Sequence, residues 1–158
     1  MGENSLILIV EDDLDVAEML ASFFQRAMFR VKVVNWGNKA LEYCKSNKPD
    51  VIILDIRLPD MDGFEVAVQL RSSARTSGIP IVFLTEKQAR KDRLKGLSIG
   101  GDDYITKPFD IHELRLRVEN AVKRSNMKSL THPVTGLPEG EIFFETIQEM
   151  QDEEIRAG

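Results

Sequence analysis

Three short apolar runs constrain this chain more than any other feature: Leu6 to Val10, Val51 to Leu54 and Ile81 to Leu84. Each is too short for a helix. None alternates apolar with polar residues, as a strand with one wet face does. Uninterrupted runs of this length read as strands covered on both faces, the pattern of a parallel sheet. Weaker strand candidates stand at Val31 to Val34 and Tyr104 to Thr106.

Helical patterns lie between the runs. Val16, Met19, Leu20, Phe23, Phe24 and Ala27 recur at three- and four-residue spacing and form one apolar stripe. Ala40, Leu41 and Cys44 suggest a second helix. Asp62 with Glu65 can cap a third. Lys87 to Leu97 is a charged, weakly amphipathic fourth. Asp110 with Glu113 caps a fifth, whose stripe is Ile111, Leu114, Val118, Ala121 and Val122. The order βαβαβαβαβα predicts an α/β fold, a doubly wound five-stranded parallel sheet with helices on both faces. Its crossovers are expected to be right-handed.

Composition excludes several classes of function. No apolar run approaches the ~20 residues that span a bilayer, and the polar start Met1-Gly-Glu-Asn-Ser5 does not read as a signal peptide. The expectation is a cytoplasmic protein with no membrane partner. A net charge of −5 argues against a direct nucleic-acid surface. The single cysteine, Cys44, rules out an internal disulfide and reads as a packing residue. His112 and His132 have no partner at metal-ligand spacing and receive no chemical role.

Ligands of such sheets bind beyond the carboxyl ends of the strands. Glu11-Asp12-Asp13 follows the first run, Asp55 the second and Thr85 the third, and Thr106-Lys107-Pro108 closes the fifth strand. One rim therefore collects carboxylates, a hydroxyl and an amine. Taken singly, an acid after a strand is usually a solvated loop residue or a helix cap, and Asp13, Asp15, Asp60 and Asp62 are read that way. Glu11, Asp12, Asp55, Thr85 and Lys107 converge too consistently for that. Converging carboxylates call for a cation or a proton. Oxygen ligands without His or Cys favour Mg²⁺ or Mn²⁺. A carboxylate can act as nucleophile and form an aspartyl phosphate, with a lysine holding the phosphate as a point charge.

Leu6-Ile-Leu-Ile-Val-Glu-Asp-Asp13, Val51-Ile-Ile-Leu-Asp-Ile-Arg-Leu-Pro-Asp-Met-Asp-Gly63, Leu84-Thr85 and Asp102-Asp-Tyr-Ile-Thr-Lys-Pro-Phe109 resemble the receiver domain of two-component response regulators, over residues 5 to 125. The resemblance implies a flavodoxin-like sheet of strand order 2-1-3-4-5. It implies Asp55 as phosphoacceptor and Asp12 as a direct Mg²⁺ ligand, with Glu11 acting mainly through water and Arg57 giving its backbone carbonyl. Thr85 and Lys107 match the groups that bind the phosphoryl oxygens, and the Lys107-Pro108 bond is cis in the family. Tyr104 matches the aromatic that follows the threonine when phosphorylation shifts the surface of the fourth helix, fifth strand and fifth helix. The implied partner is a sensor histidine kinase or phosphotransfer protein. The implied activity is limited to the chain's own phosphorylation and dephosphorylation, with no separate enzyme.

Glu86 departs from the pattern, because the family usually has a small residue there. It either faces solvent or narrows access to the phosphoryl pocket. Lys91, Arg93, Asp102, Asp103, Arg115 and Arg117 place both charge signs on the output face, where related regulators dimerise; solvated surface charge is the plain alternative. Residues 126–158 read as a linker, continuing the last helix, and a degenerate fragment. There Thr131-His-Pro-Val-Thr-Gly-Leu-Pro138 resembles the start of a GGDEF-type domain but has Glu139-Gly140 where Asn-Arg is usual. Gly100-Gly-Asp-Asp-Tyr104 mimics the GGDEF signature but runs into Lys107-Pro108 and belongs to the fifth strand.

Three other readings compete. A haloacid-dehalogenase-like phosphatase needs an acid where Arg57 stands. A dinucleotide-binding module needs a glycine-rich turn where Glu11-Asp12-Asp13 stands. A receiver-like docking module that does not phosphorylate has Glu86 as its one hint.

Overall fold

The computed structural model describes residues 5–86 and 103–135, with 126–135 as backbone only. The chain falls into two compact units, 1–125 and 126–158. Its elements are β1 (Leu6–Val10), α1 (Leu14–Arg26), β2 (Arg30–Val34), α2 (Gly37–Tyr43), β3 (Val51–Asp55), α3 (Gly63–Arg71), β4 (Ile81–Thr85), β5 (Asp103–Thr106) and α4 (Ile111–Thr135). The helix expected over Lys87 to Leu97 lies outside the described residues. All five strands are parallel, in the order β2-β1-β3-β4-β5.

The unbroken apolar runs are explained by where alternate residues go. Leu8, Val10, Ile52, Leu54, Ile81 and Phe83 pack on one face of the sheet against Ala40 of α2 and Val66, Ala67 and Leu70 of α3. Ile7, Ile9, Val51, Ile53, Val82 and Leu84 pack on the other against Leu20 and Phe24 of α1 and Leu114 and Val118 of α4. β1, β3 and β4 are thus covered on both sides, each buried apolar side chain contributing roughly 1.5–3 kcal/mol. β2 and β5 are edge strands, and exposed Arg30 and Lys32 on β2 blunt its edge against further pairing.

The helix starts follow from their caps. Asp13 Oδ1 accepts from Asp15 N and Val16 N at the start of α1. Asp62 Oδ1 accepts from Glu65 N at the start of α3, while the Glu65 carboxylate accepts from Gln69. Asp110 Oδ1 accepts from His112 N before α4. Cys44 is buried and ends α2, and burial raises its thiol pKa to about 11, in keeping with a packing role. His112 is exposed, with its ring edge-on to Phe23.

The α1 stripe is narrower than its periodicity suggests. Ala17, Leu20 and Phe24 are buried, but Met19 is 45% exposed. It sits on the flank, where a three-residue step rotates it off the sheet. Just past α1, Met28 adopts a left-handed conformation (φ 74°) and is exposed. That conformation costs a residue with a Cβ roughly 1–2 kcal/mol. Met28→Gly removes the strain but adds freedom to the unfolded chain. A net gain of about 0.5 kcal/mol in unfolding free energy is expected, read as a higher denaturant midpoint.

Candidate metal and phosphoacceptor site

The parallel topology brings the carboxyl ends of β1, β3, β4 and β5 to one rim. Glu11 and Asp12 leave β1, Asp55 ends β3, Thr85 ends β4 and Lys107 follows β5. The register sets them side by side: Val10 pairs with Leu54, Asp55 with Leu84 and Thr85 with Thr106. Carboxylate oxygens of Glu11, Asp12 and Asp55 lie within 4.8 Å of one another. Glu11 and Asp55 are buried and Asp12 is exposed. Lys107 Nζ spans the buried pair, donating to Glu11 Oε1 at 2.9 Å and Asp55 Oδ2 at 3.2 Å.

Backbone contacts fix the acids. Arg57 N donates to Asp55 Oδ1 at 3.2 Å, and Asp13 N donates to Glu11 Oε2 at 3.1 Å. Asn35 Nδ2 donates to the Glu11 carbonyl at 2.9 Å, tying the end of β1 to β2. Gly63 closes the loop after Asp55 by donating its N–H to Ile56 O at 2.6 Å.

Three carboxylates beside one ammonium leave an excess of negative charge. Burial raises the Glu11 pKa to about 7, and the neighbouring Asp55 carboxylate adds to the rise. Burial works against the Lys107 ammonium, but Glu11 and Asp55 outweigh it and hold its pKa above the ordinary lysine value. An all-oxygen set in which buried Glu11 holds its proton up to about pH 7 fits a hard divalent cation.

A pH effect follows. Glu11 binds its proton more tightly folded than unfolded, so it stabilises the fold fully below pH 4.5 and loses this as pH rises through about 7. Metal-free chain is expected to lose on the order of 2–3 kcal/mol from this group between pH 5 and 8. Saturating Mg²⁺ should flatten the loss, because cation and proton compete for the same carboxylates. Thermal unfolding across that range, with and without Mg²⁺, measures both.

The remaining expected residues are placed as follows. Thr85 is buried at the end of β4. Tyr104 is half-buried and stacks on Phe83, two residues before Thr85 on the same face of β4, with centroids 5.6 Å apart. The Arg57 side chain is exposed, and so is Glu86. The Lys107-Pro108 bond is cis. Lys91, Arg93 and Asp102 lie outside the described residues. Arg117 pairs within the chain with Asp103 and Glu113, and Arg115 with Glu119. Glu11 is fully buried and bonds Lys107 directly. Sequence reasoning gave no role to Asn35 or to the closing contact of Gly63. An Asn at a strand end on the same rim was the only available signal for the first.

Known proteins share this fold and sequence. The sequence is 38% identical over 132 residues to the transcriptional regulatory protein CreB of Escherichia coli, covering 84% of this chain and 57% of that protein. It is 38% identical over 124 residues to the alkaline phosphatase synthesis transcriptional regulatory protein PhoP of Bacillus subtilis, covering 78% of this chain and 51% of that protein. The chain thus spans about half the length of the curated relatives it matches. Among solved structures, the receiver domain of a Francisella response regulator superposes with a TM-score of 0.72 at 32% identity, covering 77% of this chain and 99% of that one. The receiver domain of the sensor histidine kinase PA1611 from Pseudomonas aeruginosa, solved with magnesium in its active-site cleft, superposes with a TM-score of 0.71 at 28% identity, covering 76% and 98%. The sequence model of the response regulator receiver domain matches residues 7–119. On sequence, topology and an acidic pocket that suits a phosphoacceptor, this chain belongs to the response regulator receiver domain family.

Proposed function

We propose that Asp55 accepts a phosphoryl group from a sensor histidine kinase or phosphotransfer protein. Glu11, Asp12, Asp55 and the backbone carbonyl of Arg57 are assigned to Mg²⁺, with Mn²⁺ as a substitute. The observation that carries the reading is the Lys107 ammonium lying across buried Glu11 and Asp55, with Asp12 completing the acidic cluster. A cation held there supplies neutralisation of charge as a phosphate approaches a carboxylate.

The chain's own groups do the rest. Asp55 Oδ1 is engaged by the Arg57 N–H, and Oδ2 faces Lys107. A phosphoryl group arriving at Oδ2 therefore comes in beside the ammonium. The O–P bond forms as the donor's P–N bond breaks, and the leaving nitrogen takes a proton from solvent. Lys107 then transfers its contact from the carboxylate to a phosphoryl oxygen, and Thr85 donates its hydroxyl to another. The product adds about −1.5 to −2 charge units and three acceptor oxygens. Tyr104, seated on Phe83, follows Thr85, which shifts the surface of β5, α4 and the expected helix before β5. This is a population shift between two states.

Residues 5–125 form the receiver in this reading, and 126–158 a linker with a degenerate GGDEF-like start. Homodimerisation through the output face requires Arg117 and Arg115 to exchange their internal partners for those of a second copy. Transcriptional control belongs to the named relatives, and here the output is proposed as protein contact at the shifted surface. Among the described residues no helix is long and apolar enough to cross a membrane. The phosphatase reading is disfavoured because the residue two after Asp55 is Arg57, whose side chain is exposed. Intact mass after incubation with phosphoramidate, with and without Mg²⁺, tests the proposal.

A further inference from the structure

Asp60 has a role that no helix start of its own explains. Asp13 and Asp62 each cap the helix that they precede. Asp60 lies in the loop between β3 and α3, whose helix Asp62 already caps, and it reaches to a different element. Its Oδ1 accepts from Gly37 N at 2.9 Å and its Oδ2 from Asn38 N at 2.8 Å, the first two residues of α2. Trp36, which precedes α2, makes no side-chain cap. Both oxygens of one carboxylate are therefore spent on an element 22 and 23 residues away. Such charge-assisted bonds are about twice as strong as neutral ones.

The contact is reinforced next door. Met61 packs over Gly37 so closely that a Cβ there would sit 2.7 Å from Met61 Cγ. The loop from Asp55 to Gly63 is thus fixed at three places. One end is the β3 ladder and the Arg57 N–H to Asp55 contact. The other is the bridge between Arg57 and Asp62 with the Gly63 N–H to Ile56 O bond. Its tip is held to α2 by Asp60 and Met61.

We propose that Asp60 is a positioning residue for the phosphoacceptor site: it fastens the loop tip to α2 and so holds Arg57, whose N–H bonds Asp55 and whose carbonyl would serve the cation. The inference rests on the reading of the Asp55 site given above. Groups that orient metal ligands from behind typically change metal affinity 10–100-fold when removed. Releasing the tip should weaken cation binding more than it slows the chemistry once the cation is bound.

The test is the Mg²⁺ dependence of phosphorylation by phosphoramidate in wild type, Asp60→Ala, Asp60→Asn and Ala40→Gly, with Mg²⁺ affinity measured in parallel by calorimetry. Ala40→Gly weakens α2 without touching the Asp60 bonds, so it reports what mere loss of helix stability does. Asp60→Ala is expected to raise the half-saturating Mg²⁺ about tenfold, with the rate at saturating Mg²⁺ within about twofold of wild type. Asp60→Asn, which keeps one acceptor oxygen, should fall between, and Ala40→Gly should match wild type. The inference is overturned if Asp60→Ala leaves both half-saturation and calorimetric affinity unchanged, or if Ala40→Gly shifts them equally. A wild-type chain that takes no phosphoryl group at any Mg²⁺ concentration contradicts the phosphoacceptor reading instead. The calorimetric comparison of the four proteins still decides the role of Asp60.

Discussion

Asp55→Asn is expected to abolish phosphoryl acceptance and, in the metal-free chain at pH 7–8, to stabilise the fold by on the order of 1–2 kcal/mol. Acceptance is lost with the nucleophilic carboxylate, and the gain in stability comes from its neighbour Glu11. Glu11 and Asp55 are buried carboxylates held by one ammonium, and Asp55 adds to the rise that burial imposes on the Glu11 pKa. An amide at residue 55 removes the repulsion and leaves Lys107 to Glu11 alone. Glu11 should then titrate lower, and the loss of stability between pH 5 and 8 should shrink. Mg²⁺ binding should weaken at least about tenfold, because one of three carboxylates is gone. Thermal unfolding at pH 5 and pH 8, with and without Mg²⁺, reads all of this. A variant less stable than wild type throughout would mean that the Arg57 N–H and Lys107 bonds to Asp55 outweigh the repulsion.

Gly63→Ala carries the second large effect. A Cβ on Gly63 would stand 2.4 Å from the Asp55 carbonyl oxygen and 2.9 Å from Ile56 Cα. Both neighbours are backbone of the acceptor strand and loop, so no side chain can swing aside. The start of α3 must move off the end of β3, breaking the Gly63 N–H to Ile56 O bond. A loss of about 3 kcal/mol is expected, at the upper end for overpacking, with at least tenfold slower phosphorylation from the displaced loop. Gly37→Ala is the milder comparison, since there the added Cβ meets side-chain atoms of Met61 and Val66. Denaturant midpoints of the two variants rank them. Equal, small losses would contradict the backbone clash.

The contrast between these residues shows what the sequence makes legible. β1, β3 and β4 were readable because both faces of each are buried, which leaves unbroken apolar runs. β2 and β5 gave weaker signals because an edge strand has fewer buried positions. Asp12, Asp55, Thr85 and Lys107 were readable because parallel topology sends every strand end to the same rim. The direct Glu11 to Lys107 bond, across 96 residues, was not readable, since it depends on which carboxylate the packing buries. Nor was the reach of Asp60 to α2: an acid in a turn looks the same whether it caps its own helix or another. Gly63 stood in view as part of a motif, but its need for a missing Cβ appears only when the neighbouring backbone is in place.

The most direct test of the central claim is intact mass after incubation with phosphoramidate, with and without Mg²⁺, on wild type and Asp55→Asn. The account predicts a gain of one phosphoryl group that requires Mg²⁺ and is absent from the variant. An unmodified wild type that still binds Mg²⁺ would contradict it and favour a docking module that does not phosphorylate, with Glu86→Ala as the next protein to make.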